Sequence, residues 1–215
     1  VSQNPTLRWL NHSALADNDV LVGMAGITAQ VHEDFGPIWH TGCQEVFGGT
    51  PAAGDWVIEI LDTSDVKGAL GYHELQNGEP WMKVFQATCA QYKVSWTSCA
   101  SHEVLEGLAD PYVDRAIQTG ASTFTALEVC DPCEVIGYAK DGVDVSDFVT
   151  PSWFDGLAPF DRFNWLGTIT KPKQLLPGGY IGQWRPSTGW TTRNAEGAVV
   201  RDHRRRREVF DLDGE

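Results

Sequence analysis

A histidine and three carboxylates crowd residues 101–110, which read Ser-His-Glu-Val-Leu-Glu-Gly-Leu-Ala-Asp. At about 100° per residue of an α-helix, His102, Glu103, Glu106 and Asp110 fall within one arc roughly 100° wide. Val104, Leu105 and Leu108 take the opposite side, as on a helix lying on a core. No Lys or Arg stands among the polar four, so their like charges repel unless a cation neutralises them. One chemistry follows directly. His102 and Glu106, a turn apart, are placed to grip a metal ion, and Glu103 beside them could act as general base toward a metal-bound water. Without an ion, the same residues make a solvated polar face.

A hydrolytic zinc usually keeps three protein ligands and a water. Glu128, expected on a short downstream strand, is the first choice for the third ligand. Asp110 and Asp131 are alternatives, and His73 a more distant one. A carboxylate standing where a second imidazole would serve favours Ca2+, Mg2+ or Mn2+ relative to Zn2+ and weakens the metal as a Lewis acid. Zn2+ heads the expected cofactors, with Ca2+ or no metal as alternatives.

Other catalytic constellations are poorer. Ser101 and His102 are adjacent and point about 100° apart on a helix, which rules them out as a nucleophile–base pair. No G-x-x-x-x-G-K-[ST] phosphate loop occurs. Carboxylate pairs for glycoside hydrolysis depend on a geometry invisible in sequence. Five cysteines at scattered spacings argue against a disulfide framework, and Cys130-Asp-Pro-Cys133 lacks the second pair of a zinc site. Buried free thiols are expected.

The elements that must position these residues alternate early in the chain. Leu7 to Leu10 reads as a strand. Leu15 to Phe35 has apolar residues at near-helical spacing, with Asp17 to Asp19 as its cap or a break and Pro37 closing it. Strands are expected at Gln44 to Phe47, Trp56 to Leu61, Ala69 to His73 and Trp81 to Thr88, then the helix from about Ser95 to Ala109, stopped by Pro111. Further on the chain is loop-rich, with short strands at Glu128 to Val129 and Val135 to Tyr138. A fold of α+β class is expected: a mixed sheet, a long N-terminal helix and the metal-site helix over residues 1–182, then an extended arm over 183–215. That arm holds five arginines in 201–207 and ends acidic.

With 215 residues, 42% of them apolar and nine tryptophans, the chain can build a substantial core. A net charge of −13 argues against coating nucleic acid or an anionic membrane. The longest apolar stretch, Val20 to Val31, is too short to span a bilayer, so no membrane insertion is expected. The first twenty residues lack a basic start followed by an apolar core, so no secretory signal is expected and folding is placed in a cytoplasm.

His102-Glu103-x-x-Glu106 resembles the H-E-x-x-H helix of zincin metallopeptidases with the second histidine replaced by Glu (H-E-x-x-E). The order long helix, strands, motif helix resembles the minimal zincin layout. That likeness implies a substrate-docking edge on a strand before the helix, such as Trp81 to Thr88. A longer likeness covers residues 5 to 182. Gly71-Tyr72-His73, Pro80 to Phe85, Ser101 to Glu106 with Asp110-Pro111, and Glu128 to Asp131 resemble a group of tailed-bacteriophage proteins. So do Val145 to Pro151 with Trp153-Phe154, and Pro177-Gly178-Gly179-Tyr180. The resemblance implies a structural virion protein, a tail, neck or capsid-surface component, on a zincin-like scaffold. It would be made in the host cytoplasm and assembled with other virion proteins. The alternative is an active metal-dependent peptidase or amidase acting on virion or host-envelope proteins.

Overall fold

The computed structural model describes residues 4–156 and 162–201. In chain order come β1 (Thr6–Asn11), α1 (Asp17–Ala29), a π-helical turn (Gln30–Phe35), α2 (Gly36–Trp39), β2 (Gln44–Phe47) and β3 (Asp55–Leu61). Next are β4 (Gly71–Gln76), β5 (Glu79–Phe85), α3 (Gln86–Gln91), α4 (Trp96–Ala109), β6 (Ala116–Gly120) and β7 (Thr123–Ala126). Then follow β8 (Gly137–Lys140), β9 (Val143–Ser146), α5 (Pro151–Asp155), β10 (Tyr180–Arg185), β11 (Gly189–Asn194) and β12 (Val199–Arg201). The class is α+β. The chain divides into two compact units, Val1–Val113 with Ile136–Asp147, and Asp114–Val135 with Phe148–Glu215.

The first unit is built on a five-stranded sheet of order β2-β1-β3-β5-β4. β1 runs parallel to β2 and β3, β3 parallel to β5, and only β4 is antiparallel, paired with β5 at the edge. Side chains alternate between faces with period two. Leu7, Trp9, Ile58, Ile60, Met82 and Val84 share one face and are fully buried. The other face carries polar pairs: the Arg8 guanidinium donates to Asp55 at 2.7 Å, and Trp81 Nε1 donates to Glu59 at 2.9 Å. The register sets Met82 against His73 and Val84 against Gly71, so His73 and Gly71 lie on the buried face.

Helix α4 packs on that face. Val104, Leu105 and Leu108 are buried, each contributing about 1.5–3 kcal/mol. The approach is close because Gly107 has no Cβ, and one there would overlap the Met82 side chain. The antiparallel β8–β9 pair lies along α4 as well. Ser146 N–H donates to Ser101 Oγ, and Thr97 Oγ1 donates to the Asp144 carbonyl, both at 2.7 Å. From the π-helical turn, Gln30 Nε2 donates to the Ser146 carbonyl at 2.7 Å.

Several element expectations need correction. Pro37 does not close the first helical segment. It sits in the first turn of α2, where its missing N–H costs nothing, and the helix ends at His40 in a left-handed conformation. The strand expected to run to Thr88 stops at Phe85, and α3 follows at once. That strand, β5, is also no edge, since β3 and β4 flank it; the outer strand is β4. No strand covers Glu128–Val129, because β7 ends at Ala126.

The second unit is an antiparallel sheet of order β12-β11-β10-β7-β6. Trp184 pairs across strands with Trp190 and meets Phe124 edge-on. Helix α5 buries Trp153 and Phe154, and Trp153 Nε1 donates to the Gln174 carbonyl at 2.8 Å. The expected boundary at residue 182 falls inside β10. Residues 183–201 form most of three strands, and the remainder of the arginine run lies outside the described residues.

Candidate metal centre

Helix α4 ends up buried almost all round, so the solvated-face reading of its polar side does not hold. Glu103 is 6% exposed, Glu106 4% and Asp110 0%. Glu103 and Glu106 lie toward β4, the one strand of the sheet that carries a histidine. Gly71, two residues before that histidine, makes room for them. A Cβ at Gly71 would stand 2.9 Å from Glu103 Oε1 and 3.1 Å from Glu103 Cγ.

Donor atoms from two elements meet there. His73 Nδ1 lies 3.4 Å from Glu103 Oε2 and 3.8 Å from Glu106 Oε2. The other oxygen of Glu106 lies 3.3 Å from His102 Nε2, across one helical turn. His73, Glu103 and Glu106 can each offer one ligand atom, all within 4.8 Å of one another. Glu106 thus stands between two imidazoles, one from its own helix and one from the edge strand.

These separations have a physical reading. A charge-assisted N–H···O bond between imidazolium and carboxylate is about 2.7–2.9 Å, shorter than either contact of His73. Donors sharing an ion at about 2.1 Å in tetrahedral array lie roughly 3.4 Å apart, within the observed range. Carboxylates taken out of water also cost several kcal/mol each unless a cation, a proton or hydrogen bonds offset the loss. The residues present therefore fit a divalent ion.

Sequence-expected ligands are distributed as follows. His102 and Glu106 are brought together as expected of their spacing. Glu103, expected as the base, instead contacts His73 with the oxygen that would face an ion. His73, the most distant alternative, joins the cluster. Asp110 ends α4, its N–H donating to the Glu106 carbonyl at 2.7 Å. Glu128 and Asp131 belong to the second unit. The useful signal for His73 was its place on a strand-like run two residues after a glycine; spacing from the helix gave none.

Family models, curated proteins and solved structures were all compared with this chain, and none of them matches it. Among the described residues, no helix is long and apolar enough to cross a membrane.

Proposed function

We propose that this chain is a structural component of a tailed-bacteriophage particle, its first unit braced by a divalent cation on His73, Glu103 and Glu106, with His102 supporting Glu106. The observation that carries the cation site is the donor geometry: three ligand atoms from strand β4 and helix α4 at ion-sharing distances. Zn2+ is the first candidate, because an imidazole among the donors favours a transition metal over Ca2+. Bound there, the ion would supply charge neutralisation and a cross-link between β4 and α4.

The closure of the cluster favours a structural role over turnover. Side chains of His73, Glu103, Glu106 and His102 are only 5–12% exposed. Structural metal sites are closed, whereas catalytic ones keep a position open to water and substrate. The phage assignment rests on the sequence resemblance, whose segments Gly71-Tyr72-His73, Pro80 to Phe85 and Ser101 to Glu106 supply β4, β5 and α4 around the cluster. The zincin-like scaffold is supported by the order of long helix, strands and motif helix in the first unit.

Hydrolysis is the second reading, favoured by His102, Glu103 and Glu106 sharing one side of α4. The two are separated by experiment. Elemental analysis of the purified protein should find about one equivalent of divalent metal, lost in His73→Ala and Glu106→Ala. Retention of the metal in both variants would overturn the site. Cleavage of a peptide library by the wild type but not by Glu103→Gln would replace the structural reading with the enzymatic one.

A further inference from the structure

Two of the five cysteines are in contact. Cys89 on α3 and Cys99 in the first turn of α4 have their sulfurs 3.3 Å apart. The backbone holds them there. Val94 N–H donates to the Cys89 carbonyl at 3.0 Å, and Lys93 N–H to that of Ala90 at 3.1 Å, so the link between the helices is a tight turn. Lys93 takes a left-handed φ of 60° to make it. Cys89 is fully buried, while Cys99 reaches the surface in part. Neither thiol belongs to the cluster of His73, Glu103 and Glu106.

We propose that Cys89 and Cys99 are a redox-active dithiol that a peroxide oxidises to an intrachain disulfide, locking α3 to the start of α4. Closing the contact to a bond of about 2.05 Å moves the sulfurs by little more than 1 Å in total. The hydrogen bond with Cys99 lowers the Cys89 thiol below its ordinary value, and the bond to Cys89 together with burial raises Cys99.

The step balances. One thiolate of the pair attacks one oxygen of hydrogen peroxide, the O–O bond breaks, hydroxide leaves, and that cysteine becomes a sulfenic acid. The second sulfur then attacks the first, the S–O bond breaks, and the second thiol's proton leaves with the hydroxyl as water. Two thiols lose two electrons in all, and the peroxide is reduced to two waters. The cross-link anchors the N-terminal turn of the helix that carries His102, Glu103 and Glu106, but its formation does not depend on the cation.

The test is a peptide map of the native full chain treated with hydrogen peroxide, then denatured and alkylated. We expect alkylated thiols to fall from five to about three per chain. The peptides containing Cys89 and Cys99 should be joined, and a dithiol reductant should separate them. In Cys99→Ser the joined peptide should vanish. Separate alkylation of Cys89 and Cys99 in the oxidised wild type overturns the proposal. So does a pairing of Cys130 with Cys133 in its place. The wild-type map decides the matter even if the variant does not fold.

Discussion

His73 changes the chemistry of the cluster more than its distance in sequence suggests. Glu103 and Glu106 alone would make an oxygen-only site suited to Ca2+ or Mg2+. The His73 imidazole supplies the nitrogen that transition metals prefer. Titration with Zn2+ and Ca2+ should therefore show Zn2+ bound at least tenfold tighter, and His73→Gln should narrow the gap. Gly71 is the second determinant at this scale. A methyl group there meets Glu103 and the Lys83 carbonyl at 2.9–3.0 Å, and the carbonyl cannot yield. Gly71→Ala should displace Glu103 and weaken metal binding about 10- to 100-fold, the usual cost of disturbing a ligand's support. Calorimetric titration measures it.

At the scale of elements, α4 was read as amphipathic and is buried on both sides. Its apolar stripe was legible from Val104, Leu105 and Leu108. The burial of the opposite stripe was not, because β4 covers it and strand order is set by pairing distant in the chain. Leu105→Ala should cost about 2–5 kcal/mol of stability in denaturant unfolding, as a cavity in a packed core does. Edge strand β2 carries a half-buried carboxylate with a different fate. Burial pushes Glu45 up to about 7, although hydrogen bonds from Cys43, Trp9 and Thr28 pull it down. Trp9 Nε1 donates to its Oε2 at 2.6 Å. A carboxyl raised in the folded state adds stability while protonated, and that stability is lost as pH rises from about 4.5 toward 7. Glu45→Gln should match the wild type near pH 4 and exceed it above pH 7, by at most a few kcal/mol. Equal unfolding curves at both pH values would refute this.

For the whole molecule, an ion held between β4 and α4 would tie two elements of the first unit together. Binding only to the folded state at about 100 times Kd adds roughly 2.7 kcal/mol. For a chain of this size that corresponds to about 5–10 °C in Tm. Chelation with EDTA should lower the thermal midpoint by that amount in the wild type and leave His73→Ala unchanged. Scanning calorimetry with and without chelator checks both.

Local pattern alone was enough to place β1, β2, β3 and α4 within a residue or two, since period-two and period-3.6 burial are written into neighbouring residues. It also singled out His102, Glu103 and Glu106, because a helix fixes their mutual positions. The β10–β11 hairpin escaped notice, its strands showing no clear alternation of apolar and polar residues. Glu128 was favoured over His73 because closeness downstream stood in for closeness in space. Only the sheet order, with β4 turned antiparallel against β5, sets a residue thirty positions upstream of Glu103 beside it. The contact of Cys89 with Cys99 has the same origin: a turn between helices, not a spacing, brings the sulfurs together.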